Sequence, residues 1–154
     1  MMTHLTSKVL QTLAGKTLAT AESCTGGMIG QMLTAVSGSS NVYKGGIISY
    51  TNEIKQNILG VDATILEREG AVSSTVACAM AEGARRVLNT DVAVSVTGLA
   101  GPSGDDRGNP VGLVYIGYAD DKGAEVISCL FEGDRDAVRT QAAEAALALI
   151  LSKN

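Results

Sequence analysis

The chain has no tryptophan, one phenylalanine and one histidine, and these shortages narrow its chemistry. With His4 as the only imidazole, neither a histidine-rich zinc site nor a histidine-based triad is expected within one chain. The three cysteines, Cys24, Cys78 and Cys129, are an odd number without CxxC spacing, which argues against a disulfide framework and fits a reducing compartment. Apolar stretches are short or interrupted, well below the roughly 20 residues that cross a bilayer. The first residues, Met1-Met2-Thr3-His4-Leu5-Thr6-Ser7-Lys8, lack the basic-then-apolar order of a secretory signal, so a cytoplasmic location is the expectation. Twelve Lys and Arg against sixteen Asp and Glu leave a net charge of −4, with no basic stripe interleaved with aromatics. Polymeric nucleic acid is therefore not an expected partner, nor is a membrane, whereas a single phosphate remains compatible.

What is present is apolar and small: 45% hydrophobic residues and 18 glycines in 154 residues, enough for one well-buried core and one domain over residues 1–154. Leu5, Val9, Leu10 and Leu13 predict an amphipathic first helix closed by Gly15, followed by a strand at about 16–21. A second helix is predicted to start near Thr25. Gly45 to Thr51 reads as an apolar strand, and a helical turn runs through Lys55 to Leu59 before Gly60. Asp62 is a cap for a short helix to Glu69, and Ser73 or Ser74 for a longer one ending near Asn89. Val92 to Val96 is a buried strand. Val111 to Tyr118 and Glu125 to Phe131 form a hairpin across Asp120-Asp121-Lys122-Gly123, and a last helix runs from about Asp134 to Leu151. Strand–helix alternation ending in a hairpin predicts an α/β fold, a three-layer α/β/α sandwich around a mixed, mainly parallel sheet of about five strands.

The segment Ala21-Glu22-Ser23-Cys24-Thr25-Gly26-Gly27 runs a strand into polar residues and paired glycines at a helix start, where unpaired N–H groups attract anions. Ser23 is either a helix cap or a nucleophile. Thr25 can cap the same helix, which frees Ser23 for chemistry, and Gly26 and Gly27 permit close approach of a ligand. Cys24 competes as nucleophile, but buried structural thiols outnumber reactive ones. A serine without histidine needs another base, and Lys55 is the candidate, set against the commoner solvated lysine. Bringing a lysine from about 10.4 to about 7 costs roughly 4–5 kcal/mol, which only a dry pocket or a neighbouring cation supplies. Tyr50 is either a polar group at the same strand end or ordinary strand packing. The loop from Thr97 to Pro110 holds both prolines and a Gly98-x-x-Gly101-x-x-Gly104 spacing that matches neither the P-loop nor the dinucleotide fingerprint. Thr97, Gly98 and Gly101 would suit a polar ligand at the sheet edge. Arg135 and Arg139, four apart, form either surface ion pairs or a phosphate clamp.

Together with Gly45-Gly46-Ile47-Ile48-Ser49-Tyr50-Thr51-Asn52-Glu53-Ile54-Lys55, Thr97-Gly98-Leu99-Ala100-Gly101-Pro102 and Gly133-Asp134-Arg135-Asp136-Ala137-Val138-Arg139, that segment resembles the CinA C-terminal domain family. Stand-alone members (PncC-like) are nicotinamide-nucleotide amidohydrolases. The likeness covers nearly the whole chain with its motifs in order. It implies deamidation of nicotinamide mononucleotide to nicotinate mononucleotide and ammonia in pyridine nucleotide salvage. It also implies Ser23 as nucleophile, Lys55 as base and Tyr50 as an auxiliary hydrogen-bonding group. Cys24, Thr25, Gly26, Gly27, Thr97, Gly98, Gly101, Arg135 and Arg139 are the candidate substrate contacts. No cofactor or metal is called for, and a homo-oligomer is implied. Relatives commonly carry glycines where this chain has Asp105-Asp106, which bears on any phosphate contact in that loop. The alternatives are a noncatalytic pyridine-nucleotide-binding or regulatory module and, against the acidic balance, a protein acting on DNA.

Overall fold

A computed structural model describes residues 2–154. In chain order the elements are α1 (Met2–Thr12), β1 (Leu18–Glu22), α2 (Met28–Thr34), β2 (Tyr43–Ile48), α3 (Asn52–Asn57), α4 (Ala63–Glu69), α5 (Ser74–Leu88), β3 (Val92–Gly98), β4 (Leu113–Asp120), β5 (Gly123–Leu130) and α6 (Arg135–Lys153). The five strands form one sheet in the order β2-β1-β3-β4-β5. β1 pairs in parallel with β2 and β3, and β4 pairs antiparallel with β3 and β5. Four strands thus point one way and only β4 runs against them, the mixed, mainly parallel sheet that the sequence predicts.

Period-two alternation splits the core. Val92, Val94 and Val96 point toward α1, α2 and α6, where they meet Leu13, Ile29, Leu33, Val138 and Leu147. Ala93 points the other way, with Ala19 and Ala21, toward α5 and the residues Leu59, Val61, Leu66 and Met80. The small residues on that face let α5 lie close to the sheet: a Cβ on Gly117 would come within 2.5 Å of the Ala77 carbonyl oxygen. Caps set the helix starts as the sequence suggests. Asp62 accepts from the Thr64 N–H, Ser73 from Val76 and Asp134 from Ala137.

Several boundaries shift by one to three residues, and two of these shifts shape the ends of the parallel strands. β2 stops at Ile48 instead of Thr51: the Ser49 N–H on the Glu22 carbonyl at 2.7 Å is the last bond of its parallel pairing with β1, and Thr51 leaves the sheet to cap α3. α2 starts at Met28 instead of Thr25. Its N-cap is Gly27, at φ +103°, which has no side chain to offer. The capping acceptor is Glu22, buried at the end of β1, whose carboxylate takes the N–H groups of Ile29 at 2.9 Å and Gly30 at 3.0 Å. Thr25 is not a cap; its hydroxyl donates to the same carboxylate at 2.7 Å. A carboxylate at a helix N-terminus is favoured by hydrogen bonding and by the helix dipole. The residues between, Ser23 to Gly27, are a tight turn closed by the Gly26 N–H on the Ser23 carbonyl at 3.0 Å.

Replacing Glu22 by Ala leaves the Ile29 and Gly30 N–H groups and the Thr25 hydroxyl without this acceptor. It is expected to lower stability by about 3 kcal/mol and the melting temperature by roughly 6–12 °C, as read by thermal unfolding. A melting temperature within 2 °C of wild type would show that the helix start does not depend on Glu22.

Candidate active site

The parallel strands β1, β2 and β3 end side by side, with Glu22 in register with both Ile48 and Val96. The segments leaving these strands therefore converge at one sheet edge: Ser23 after β1, residues 49–55 after β2 and the loop from Leu99 after β3. They surround a cleft of about 940 Å³. Ser23, Cys24, Tyr50, Lys55, Thr97, Gly98, Gly101 and Arg135 line it, as do Asp105, Asp106 and Arg107. Thr25, Gly26, Gly27 and Arg139 do not.

Lys55 is the unusual group. One turn into α3, it points inward and is 1% exposed. Its Nζ donates to the Ser23 Oγ at 3.1 Å and to the Ser49 carbonyl at 2.9 Å, with the Tyr50 carbonyl at 3.5 Å. All three acceptors are uncharged. Burial accordingly dominates and lowers its pKa to about 8, against a small opposing influence of Cys24. At pH 7 roughly a tenth of molecules then carry a neutral amine beside a serine hydroxyl, the pairing that general-base activation needs. Cys24 is the neighbour in sequence but not in reactivity. Burial first of all raises its thiol to about 11, leaving it protonated at neutral pH.

The remaining candidates separate by what holds them. Tyr50 is neither strand packing nor a partner of Ser23: it lies past the end of β2, 57% exposed, and its hydroxyl accepts from Arg135 Nη2 at 3.1 Å. Arg135 also donates through Nη1 to the Gly101 carbonyl at 2.7 Å. Both partners are uncharged, so a full positive charge stands at the cleft wall. The Thr97 hydroxyl donates to the Ala71 carbonyl at 2.9 Å, and Gly98 is required by packing, since a Cβ there would sit 2.6 Å from Val114 Cγ2. Arg139 is not part of a phosphate clamp. From α6 it donates through Nε to the Cys24 carbonyl at 3.0 Å and through Nη2 to the Thr25 carbonyl at 3.1 Å, which directs it at the turn rather than the cleft.

Three residues that the sequence alone did not single out complete the site. Glu22 holds the turn from inside, and Ser49 supplies the carbonyl nearest the Lys55 amine. Arg107 crosses from the 103–109 loop to the end of α4, bonding the carbonyls of Arg68 at 2.9 Å and of Glu67. Asp105 braces that loop by accepting from the Arg107 and Asn109 N–H groups and from Asn109 Nδ2, the last holding its carboxyl below the usual range. Glu22 abuts the Ser23 motif, so an acidic residue one position before the turn was the available signal. Arg107 has no local signal, because its partners lie 39 and 40 residues away. Among the described residues no group of His, Cys, Asp and Glu is arranged to hold a metal ion, and no helix is long and apolar enough to cross a membrane.

Residues 2–153 match the family model of the CinA C-terminal domain. The chain belongs to that family. A CinA-like protein of Synechococcus sp. strain RCC307 is 55% identical over 133 residues, covering 85% of this chain and 32% of the relative. One from Geobacter sulfurreducens is 51% identical, covering 86% and 32%. The chain thus spans about a third of the length of these curated relatives. Among solved structures, a CinA superfamily protein from Escherichia coli superposes with a TM-score of 0.97 at 35% identity, covering all of this chain and 91% of the other. A competence/damage-inducible protein from Agrobacterium tumefaciens gives 0.91 at 35% identity, covering 98% and 94%. The mixed sheet is the CinA fold, and the cleft lies where its parallel strands end.

The Lys55 shift has a sign that can be checked. A base whose pKa is lowered by folding destabilises the fold while it is charged, and the penalty is relieved as pH rises from the folded value toward the unfolded one. From its ordinary 10.5 to about 8, the stability of wild type relative to Lys55→Met is expected to rise by about 3 kcal/mol between pH 7 and 10.5. Parallel denaturation curves at the two pH values measure it, and a constant difference would show that Lys55 is not shifted.

Proposed function

We propose that this CinA-family chain hydrolyses the carboxamide of nicotinamide mononucleotide, giving nicotinate mononucleotide and ammonia through a Ser/Lys acyl-enzyme in pyridine nucleotide salvage. The observation that supports this reading best is the buried contact of Lys55 Nζ with Ser23 Oγ at 3.1 Å, with the lysine pKa lowered to about 8 by burial.

The neutral Lys55 amine accepts the Ser23 proton as Oγ attacks the carboxamide carbon. The carbonyl oxygen takes up negative charge. Among the described residues the N–H of Cys24, at the cleft wall, is given to no other residue, while that of Gly26 is used by the Ser23 carbonyl, so Cys24 supplies the oxyanion donor. As the C–N bond breaks, Lys55 returns the proton to the departing ammonia. Water then attacks the ester with Lys55 again as base, the C–Oγ bond breaks as Lys55 passes that proton to Ser23 Oγ, and the acid product leaves and ionises to the carboxylate. At the other end of the substrate, the phosphate would sit against Arg135, whose charge has no counter-ion among its partners. No cofactor or metal enters these steps. A homo-oligomer and a cytoplasmic location belong to the same proposal.

Purified protein is expected to release ammonia from nicotinamide mononucleotide, with kcat/KM rising through a pKa of about 8. Ser23→Ala and Lys55→Met should each lose at least about 10³-fold in kcat while Cys24→Ala stays within a few-fold of wild type. Activity that survives in Ser23→Ala but not in Cys24→Ala would overturn the serine assignment. Tight binding of the nucleotide without turnover would point to a regulatory module. Arg135→Ala is expected to raise KM by about 10–100-fold with kcat changed less, and an unchanged KM would remove Arg135 from phosphate binding.

A further inference from the structure

Tyr50 lines the cleft with its side chain fastened at both ends and its ring open. Its backbone carbonyl lies 3.5 Å from Lys55 Nζ, and its hydroxyl accepts from Arg135 Nη2 at 3.1 Å. One residue thus reaches from the base to the arginine. Arg135 is itself tied to the Gly101 carbonyl at 2.7 Å, so the hydroxyl end has a fixed support. The ring packs in neither core cluster, and the residue is 57% exposed. A tyrosine has only two side-chain torsions, so one bond at its tip fixes where the ring lies at little entropic cost. Holding a ring that buries so little against the protein needs a reason other than packing.

A carboxamide attacked at Ser23 and a phosphate at Arg135 would lay the substrate along the same line. The pyridine ring of nicotinamide mononucleotide, joined to ribose through its nitrogen, carries a positive charge. Arg135 and the Lys55 amine, charged in most molecules at pH 7, repel that charge from the two ends of the line. The open face of an aromatic ring attracts it, because the face is the negative end of the ring quadrupole. A carboxylate would attract it too. Glu53, Glu67 and Asp106 line the cleft, but none of them is bonded to Tyr50, Lys55 or Arg135 among the described residues.

We propose that the Tyr50 ring is a specificity-determining platform on which the pyridinium ring of the substrate stacks, so that the site prefers a carboxamide on a cationic ring to the same carboxamide on a neutral one. This rests on the nicotinamide mononucleotide reading and adds to it the feature that tells the nucleotide from free nicotinamide besides the phosphate. The hydroxyl then serves to hold the ring through Arg135 and moves no proton. Because the ring is fixed before the substrate arrives, little of the attraction is lost to ordering it.

The test uses the full chain carrying Ser23→Ala, so that nothing turns over, alone and combined with Tyr50→Leu, which removes the ring, or Tyr50→Phe, which keeps the ring and removes the bond to Arg135. The probes are 1-methylnicotinamide, a cation, and nicotinamide, its neutral counterpart, titrated by proton NMR; neither carries a phosphate, so Arg135 does not enter the comparison. With Tyr50 in place, 1-methylnicotinamide is expected to bind about 5–30-fold more tightly than nicotinamide, with its ring protons shifted upfield. In Tyr50→Leu the ratio should fall below about twofold and the upfield shift disappear, whereas Tyr50→Phe should keep both. Equal binding of the two probes with Tyr50 present would overturn the proposal. So would a preference that survives in Tyr50→Leu, which would assign it to a carboxylate such as Glu53, or one that is lost in Tyr50→Phe as fully as in Tyr50→Leu, which would assign it to the hydroxyl. Absence of ammonia release from wild type with nicotinamide mononucleotide would count against the substrate reading alone, and the two probes would still decide the role of Tyr50.

Discussion

The site depends on a lysine with no counter-ion in a dry place. Lys55 is among the largest fully buried side chains, and every acceptor of its amine is a hydroxyl or a backbone carbonyl. A carboxylate in the position of the Ser49 or Tyr50 carbonyl would have made an ion pair, kept the amine charged, and left no base. Uncharged acceptors do the opposite: they satisfy the N–H groups without repaying the desolvation of the charge. Three parallel strand ends make this possible, because each ends in backbone that no longer pairs within the sheet, and the carbonyls of 49 and 50 are free to turn toward α3. The fold thus carries a local instability at neutral pH whose counterpart is a usable proton acceptor.

Around this pair, the nucleophile turn is held from two sides by opposite charges. Glu22 lies on the inner side, joining the turn to the start of α2 through Thr25, Ile29 and Gly30. Arg139 lies on the outer side, joining it to α6 through two carbonyls. Neither is paired with the other, and each is spent on backbone or hydroxyl groups of the turn. With Gly26 at φ +59° and Gly27 at φ +103° the chain takes a path few other residues accept, and the two anchors hold it there. The paired glycines of the motif therefore serve the path of the turn. A Cβ at Gly26 would make an ordinary contact with Arg139 at 3.5 Å, whereas one at Gly27 would crowd Ile48 at 3.2 Å.

Much of this was legible in the chain itself. Period-two runs such as Val92–Val96, caps such as Asp62, Ser73 and Asp134, and the hairpin turn at 120–123 are local signals, and local physics decided those elements. The scarcity of histidine turned attention to Lys55, which is a buried lysine and not the commoner solvated one. What could not be read was any contact between distant segments. Thr25 looked like a cap because a hydroxyl stood at a helix start, but the stronger acceptor, Glu22, came from the preceding strand. Arg135 and Arg139 looked alike at four-residue spacing, yet a rotation of about 40° between them on the helix places one on the cleft and the other on the turn. Tyr50 looked like the end of a strand because nothing in the sequence shows that the pairing of β2 with β1 ends at Ile48.

The choice between Ser23 and Cys24, adjacent on one turn, comes down to how a single environment treats an acid and a base. Burial penalises charge of either sign, so it raises the Cys24 thiol to about 11 and lowers the Lys55 amine to about 8. A thiolate–ammonium pair would need both groups charged in the place that disfavours each. A hydroxyl beside a neutral amine needs neither. In the roughly one tenth of molecules with a neutral amine, charge appears only when the proton moves to Lys55 and the oxyanion forms. The same dryness that makes the thiol inert therefore favours serine as the nucleophile and confines charge separation to the reacting state, where fixed donors are worth most.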